Sequence, residues 1–145
     1  MNIRWGRSLL CGLVMAWTAC APAVHTIAYV PQPQRIENPD KTLATLIVAN
    51  TVQGCVVSPA FNEGIFVVQF VCTTGAGNYV IRPSQIASIE LQQQGPWYRV
   101  RVRHSGGAVD FVWDSKSLTD AQHIADAIAG LAAPAPAPAP APQAV

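Results

Sequence analysis

The hydrophobic pattern changes period along the chain, and each change marks an element. Asn38-Pro39-Asp40 sets an N-capping residue type before a proline suited to the first helical position, and Leu43, Leu46 and Ile47 follow at helical spacing. This predicts a helix over 39–51 that stops before Gly54. The β-branched Ile47, Val48 and Thr51 leave a strand as the alternative. The stretch GCVVSPAFNEGIFVVQFVC then reads as two strands joined at Glu63-Gly64, with glycine supplying the positive φ of a two-residue turn. Residues equally far from that turn face each other, so Cys55 lies opposite Cys72. Counting outward from a hydrogen-bonded Asn62–Ile65 pair, the two cysteines fall on a non-hydrogen-bonded pair, where side chains are closest. Pro59 also falls on such a position, where its missing N–H costs this ladder nothing. The same register puts Val57, Phe61, Phe66, Val68 and Phe70 on the cysteine face, the expected core side.

Further along, 75–78 reads as a turn, 79–82 as a short strand ended near Pro83, and 86–92 as a strand with Ala87, Ile89 and Leu91 inward. Gly95-Pro96 turns the chain into WYRVRVRH, where Arg99, Arg101 and Arg103 alternate with Tyr98, Val100 and Val102. A turn at Gly106-Gly107 would set Arg103 opposite Asp110, Val102 opposite Phe111, Val100 opposite Trp113 and Arg99 opposite Asp114. On the other side Glu90 would face Arg101. Ser117-Leu118-Thr119-Asp120 resembles a capping box. Leu118, Ala121, Ile124, Ala125, Ile128 and Leu131 form one apolar stripe, predicting an amphipathic helix over 118–132 with His123 exposed. The expected class is α+β: an antiparallel sheet, or partly open barrel, of about six strands with an N-terminal and a C-terminal helix.

The first residues follow another pattern. Arg4 and Arg7 precede an uncharged run from Ser8 to Ala19, shorter than the ~20 residues a membrane span needs, and small residues follow. That is the layout of a secretory signal over 1–19. Thr18-Ala19-Cys20 resembles the lipobox of bacterial lipoproteins. The resemblance implies a diacylglyceryl group on the Cys20 thiol, cleavage just before it and acylation of the new amine. Ala21, not aspartate, follows the cysteine, which in that family leans toward the outer membrane, with the body facing the periplasm. The alternative is ordinary cleavage between Ala19 and Ala23, giving a soluble periplasmic protein. Two or three acyl chains hold firmly where one binds marginally.

An oxidising compartment makes a Cys55–Cys72 disulfide the expected state, closing its loop for about 3 kcal/mol in the chain-entropy model. No His or third Cys has the spacing of a metal site, and no CxxC suggests redox chemistry. The segment 20–38, with Pro31 and Pro33 and no sustained period, reads as an extended tether that could reach roughly 60 Å. Residues 39–133 form one domain. The run 134–145 alternates proline with alanine and reads as a disordered tail, with a spacer or docking strip as the alternative.

Nine basic residues against eight acidic ones leave no electrostatic footprint for nucleic acid. The stripe Arg99, Arg101 and Arg103 is the candidate anion-binding feature. Its competing reading is a solvated face of cross-strand charge pairs, each worth a few tenths of a kcal/mol. No GxSxG, HExxH or glycine-rich phosphate loop occurs, and His25, His104 and His123 are scattered. An enzyme is therefore not the expected class, and no cofactor or metal is implied.

The segment IASIELQQQGPWYRVRVRHSGGAVDFVW followed by SLTDAQHIADAIAGL is similar in layout to the pleckstrin-homology-like domains of small bacterial proteins. That resemblance covers 54–132 and implies binding of lipids, peptides or partner proteins, without choosing among them. The leading expectation is a lipid-anchored envelope module binding an envelope protein or peptidoglycan through a sheet edge or a helix–sheet groove. The second is a small-ligand or lipid-binding domain using the arginine face.

Overall fold

The computed structural model describes residues 21–107 and 111–133. The signal segment, Cys20, Asp110 and the Pro/Ala tail lie outside the described residues. The elements run β1 (Val24–Ile27), α1 (Pro39–Ala49), β2 (Cys55–Asn62), β3 (Ile65–Cys72), β4 (Gly75–Ile81), β5 (Ile86–Gln94), β6 (Trp97–His104), β7 (Phe111–Ser115) and α2 (Leu118–Ala132). The fold is α+β, with two antiparallel sheets ordered β1-β5-β6-β7 and β2-β3-β4, and no closed barrel.

The β2–β3 hairpin has the register expected from its turn. Cys55 pairs with Cys72, Pro59 with Val68 and Asn62 with Ile65. Glu63 and Gly64 have φ of 50° and 75°, the pair of positive angles that matches the twist of a two-residue hairpin. The Cys55–Cys72 disulfide is formed. β6 and β7 also pair as their turn implied, with Arg99 opposite Asp114, Val100 opposite Trp113 and Val102 opposite Phe111. α2 spans the expected residues, and the Ser117 Oγ accepts a hydrogen bond from the Asp120 backbone N–H at 3.2 Å.

Four expectations change. The turn after Cys72 is Thr73-Thr74, so Gly75–Asn78 belongs to β4 and pairs with β3. Gly77 sits opposite Phe70 there, and a Cβ on it would lie 2.8 Å from the Phe70 ring: the strand uses glycine so that the ring can lie across it. In β5 the register shifts between Ile86 and Ser88, and this irregularity leaves Ala87 exposed instead of inward. Phe61 is 44 % exposed, because at the β2–β3 tip it lines a groove with Ile36 and Leu131 instead of reaching the core.

The largest change concerns the expected tether. Val24–Ile27 form β1, a seventh strand, pairing with Gln94 through Leu91 of β5. A short 3₁₀ turn follows at Pro33–Arg35. The folded body thus starts at Val24, fifteen positions earlier in the chain than Pro39 where the domain was expected to begin.

The core explains the layering. Leu43 and Ile47 of α1 and Ala121, Ile124, Ala125 and Ile128 of α2 are buried together with Phe66, Val68, Ile81, Leu91, Val100, Val102 and Phe111 from the strands. α1 and α2 pack on each other, α1 also touches β2, and α2 covers β5, β6 and β7. The helix stripe and the alternate strand positions therefore bury one another.

Candidate functional site

β6 places its arginines by simple alternation: Val100 and Val102 point into the core, so Arg99, Arg101 and Arg103 share the opposite face. Register then decides what each meets. Arg99 donates from Nε and Nη2 to both oxygens of Asp114, at 2.7 and 2.9 Å. This fork raises the Arg99 pKa above its ordinary value, chiefly through the Asp114 hydrogen bonds, with burial opposing. Arg103 Nε lies 3.7 Å from Glu90, the carboxylate that faces Arg101 in the strand register. Arg101 is engaged as well. The expected partner Asp110 lies outside the described residues. The stripe is thus a set of committed charges, and Arg99 borders a cavity.

That cavity, about 270 Å³, opens where the two sheets meet. The Cys55–Cys72 disulfide, Phe70 and Tyr79 form one wall, while Trp113 and the Arg99–Asp114 pair form the other. The aromatic rings build on one another. Phe70 stacks on Tyr79 at 5.3 Å, Tyr79 meets Trp113 edge-on at 6.2 Å, and Trp113 stacks on Phe111 at 6.1 Å. The Trp113 indole nitrogen is buried without a hydrogen-bond partner. The cavity therefore combines an apolar aromatic lining with the Arg99–Asp114 charge pair.

Two sites were missed in the sequence. Asp126, on α2, is 0 % exposed, and its Oδ1 accepts from the Tyr29 hydroxyl at 2.7 Å and the Gln32 backbone N–H at 2.6 Å. These bonds fasten the segment after β1 to the C-terminal helix. Burial, then the hydrogen bond to Asp126, push the Tyr29 hydroxyl from 10.0 up to about 12. A carboxylate on a helix reads as solvent-facing, and no local signal marks Asp126 as buried. His104, the other case, is buried at the end of β6, and its Nε2 accepts the Arg82 backbone N–H at 3.1 Å. That bond gives the histidine a structural role, on the tautomer that carries its proton on Nδ1. His123 is exposed, as expected.

A polar cluster joins the two helices. Asn50, which caps α1, donates to Asp120 at 3.1 Å and accepts from the Ser115 hydroxyl at 2.6 Å. Ser115 Oγ in turn accepts the Ser117 N–H at 2.9 Å. Every one of these contacts is structural in kind, tying the end of β7 and the start of α2 to α1.

The outer face of β2–β4 is different in kind. Apart from Glu63 in the turn, no charged residue or histidine occurs from Cys55 to Ile81. Register groups the outward residues into rows: Val56, Val71 and Ala76, then Ser58, Gln69 and Asn78, then Ala60, Val67 and Val80. Val56 is 72 % exposed and Val71 62 %. Among the described residues, no helix is long and apolar enough to cross a membrane. Comparison with protein-family models, curated proteins and solved structures finds no match to this chain.

Proposed function

We propose that this chain is a lipid-anchored envelope lipoprotein, acylated at Cys20, whose domain binds a protein or cell-wall partner through the outer face of β2–β4. The observation that carries the reading is the exposed Val56–Val71 row on a sheet face without charge. Exposed apolar rows on a folded domain mark contact surfaces, and the Cys55–Cys72 disulfide cross-links the two strands that carry this one. Six antiparallel strands in two sheets followed by a C-terminal helix over 54–132 support the pleckstrin-homology-like reading of the domain. Intact mass of the membrane-extracted protein, with and without reductant, reports the mature start, the acyl chains and the disulfide together. A pull-down from envelope extract and co-sedimentation with purified peptidoglycan test the face. Val56→Lys with Val71→Lys should lose the partner, and replacement of Arg99, Arg101 and Arg103 should keep it.

The second reading is a small-ligand site in the aromatic cavity, favoured by Arg99 bordering it. It reverses the test. The arginine replacements should then abolish ligand binding through Arg99, and the two valine substitutions should leave it intact.

A further inference from the structure

Where the chain joins the sheet determines which surface a membrane anchor would hold against the bilayer. β1 begins at Val24, and just before it Pro22 packs against the β5–β6 turn: a Cβ on Gly95 would lie 3.7 Å from Pro22. Cys20 is two residues earlier, so it lies within ~7 Å of Pro22 along the chain. A 60 Å tether is not available, because most of its residues are folded onto the body.

We propose that the β5–β6 end of the four-stranded sheet seats on the lipid headgroups, with Trp97 and Lys116 as its interface anchors. This rests on the acylation of Cys20 proposed above. Trp97 opens β6 directly after the Gly95-Pro96 turn, and the Lys116 ammonium lies 5.0 Å over its ring. An indole suits the boundary between headgroups and acyl chains, and a lysine with an apolar stem presents its charge to phosphate there. The cation–π contact holds the two side chains together as one amphipathic unit.

Lys116 is the cation this end offers to a lipid phosphate. Of the acids near this end, Asp114 is paired with the Arg99 cation, and Asp120 is held by the Asn50 amide. Glu37 and Asp40 sit instead beside Gly130 and Leu131, near the far end of α2. Lys116 precedes the start of that helix, so the length of α2, roughly 20 Å, separates it from them. Glu63 lies at the tip of the β2–β3 hairpin, the opposite end from the disulfide. An anionic bilayer surface at the Trp97–Lys116 end would meet the Lys116 ammonium beside the uncharged Gly95-Pro96 turn.

The test uses the chain from Cys20 onward, its mature form on that reading, with the Cys55–Cys72 disulfide intact. Its Cys20 thiol is coupled to a maleimide phospholipid in vesicles of phosphatidylcholine and phosphatidylglycerol. From Cys20 onward the tryptophans are Trp97 and Trp113. Lipids brominated near the headgroup end of the acyl chain should quench the coupled protein and leave Trp97→Phe unquenched. Lys116→Glu should weaken the quenching. Equal emission from the coupled parent in brominated and unbrominated vesicles would overturn the seating, and this comparison needs no variant to fold. Chemical coupling supplies the anchor, so this result is independent of native acylation. A membrane-extracted protein whose mass shows no acyl chains would instead overturn the anchor reading, and the native seating with it.

Discussion

Replacing both hairpin cysteines, Cys55→Ser with Cys72→Ser, should cost about 3 kcal/mol of stability. The magnitude follows from loop length. The cysteines are 17 residues apart, and releasing a cross-link over that span returns ~3 kcal/mol of chain entropy to the unfolded ensemble. For a domain of this size each kcal/mol is worth ~5 °C, so the melting temperature should fall by roughly 15 °C. Urea unfolding followed by tryptophan fluorescence and circular dichroism reads the change directly. Both the midpoint and the extrapolated stability should drop, and the denaturant dependence should steepen because the unlinked unfolded chain exposes more surface. Reduced parent protein should behave like the variant. A variant within about 1 kcal/mol of the oxidised parent would refute the argument, showing that the bridge does not restrict the unfolded chain as its span implies.

Tyr29→Phe should release the segment after β1, seen as faster amide exchange at Thr26, Ile27 and Gln32, with a loss of about 1.5 kcal/mol for a hydrogen bond to a carboxylate. The raised Tyr29 pKa gives a pH dependence of definite sign. The folded state holds the phenolic proton more tightly than the unfolded chain, so this contribution is complete below 10.0 and is lost as pH rises toward about 12. Thermal melts across that window should show Tyr29→Phe declining less than the parent. Gly77→Ala should destabilise by roughly 1–2 kcal/mol despite its entropic advantage in the unfolded chain, since a Cβ 2.8 Å from the Phe70 ring must displace that ring from Tyr79. A reduced near-ultraviolet dichroism signal would report the displacement. Ser117→Ala removes the cap of α2 and should cost about 1 kcal/mol by denaturation, with weaker protection confined to the first turn of the helix.

What proved legible in the sequence is what short-range physics controls. A two-residue turn at Glu63-Gly64 dictates the register of β2 with β3, and register alone brings Cys55 against Cys72. The Gly106-Gly107 turn does the same for Arg99 and Asp114, and a 3.6-residue stripe with a serine before it delimits α2. Each of these depends on neighbours a few residues away along the chain. In the candidate cavity, the sequence identified the disulfide and the alternation of the arginines. It did not show that Trp113 and Tyr79 would meet across two sheets, because no ladder links β4 to β7 in register.

Other features depended on contacts between distant parts of the chain. Val24–Ile27 are a strand because β5 presents a vacant edge to them, and four residues with no periodicity carry no such instruction. The turn at Thr73-Thr74 was hidden by the glycines after it, which serve Phe70 and not the turn. Asp126 is buried because Tyr29 and Gln32 arrive from the other end of the chain to hydrogen-bond it, a compensation for lost hydration that exists only once the chain has folded back. Turn geometry and hydrophobic period are written locally, so the sequence by itself determined the β2–β3 and β6–β7 pairings, the C-terminal helix and the disulfide. Desolvation and edge pairing depend on which distant segments come together, so the seventh strand, the buried carboxylate and the side from which the chain leaves the body were decided by tertiary structure alone.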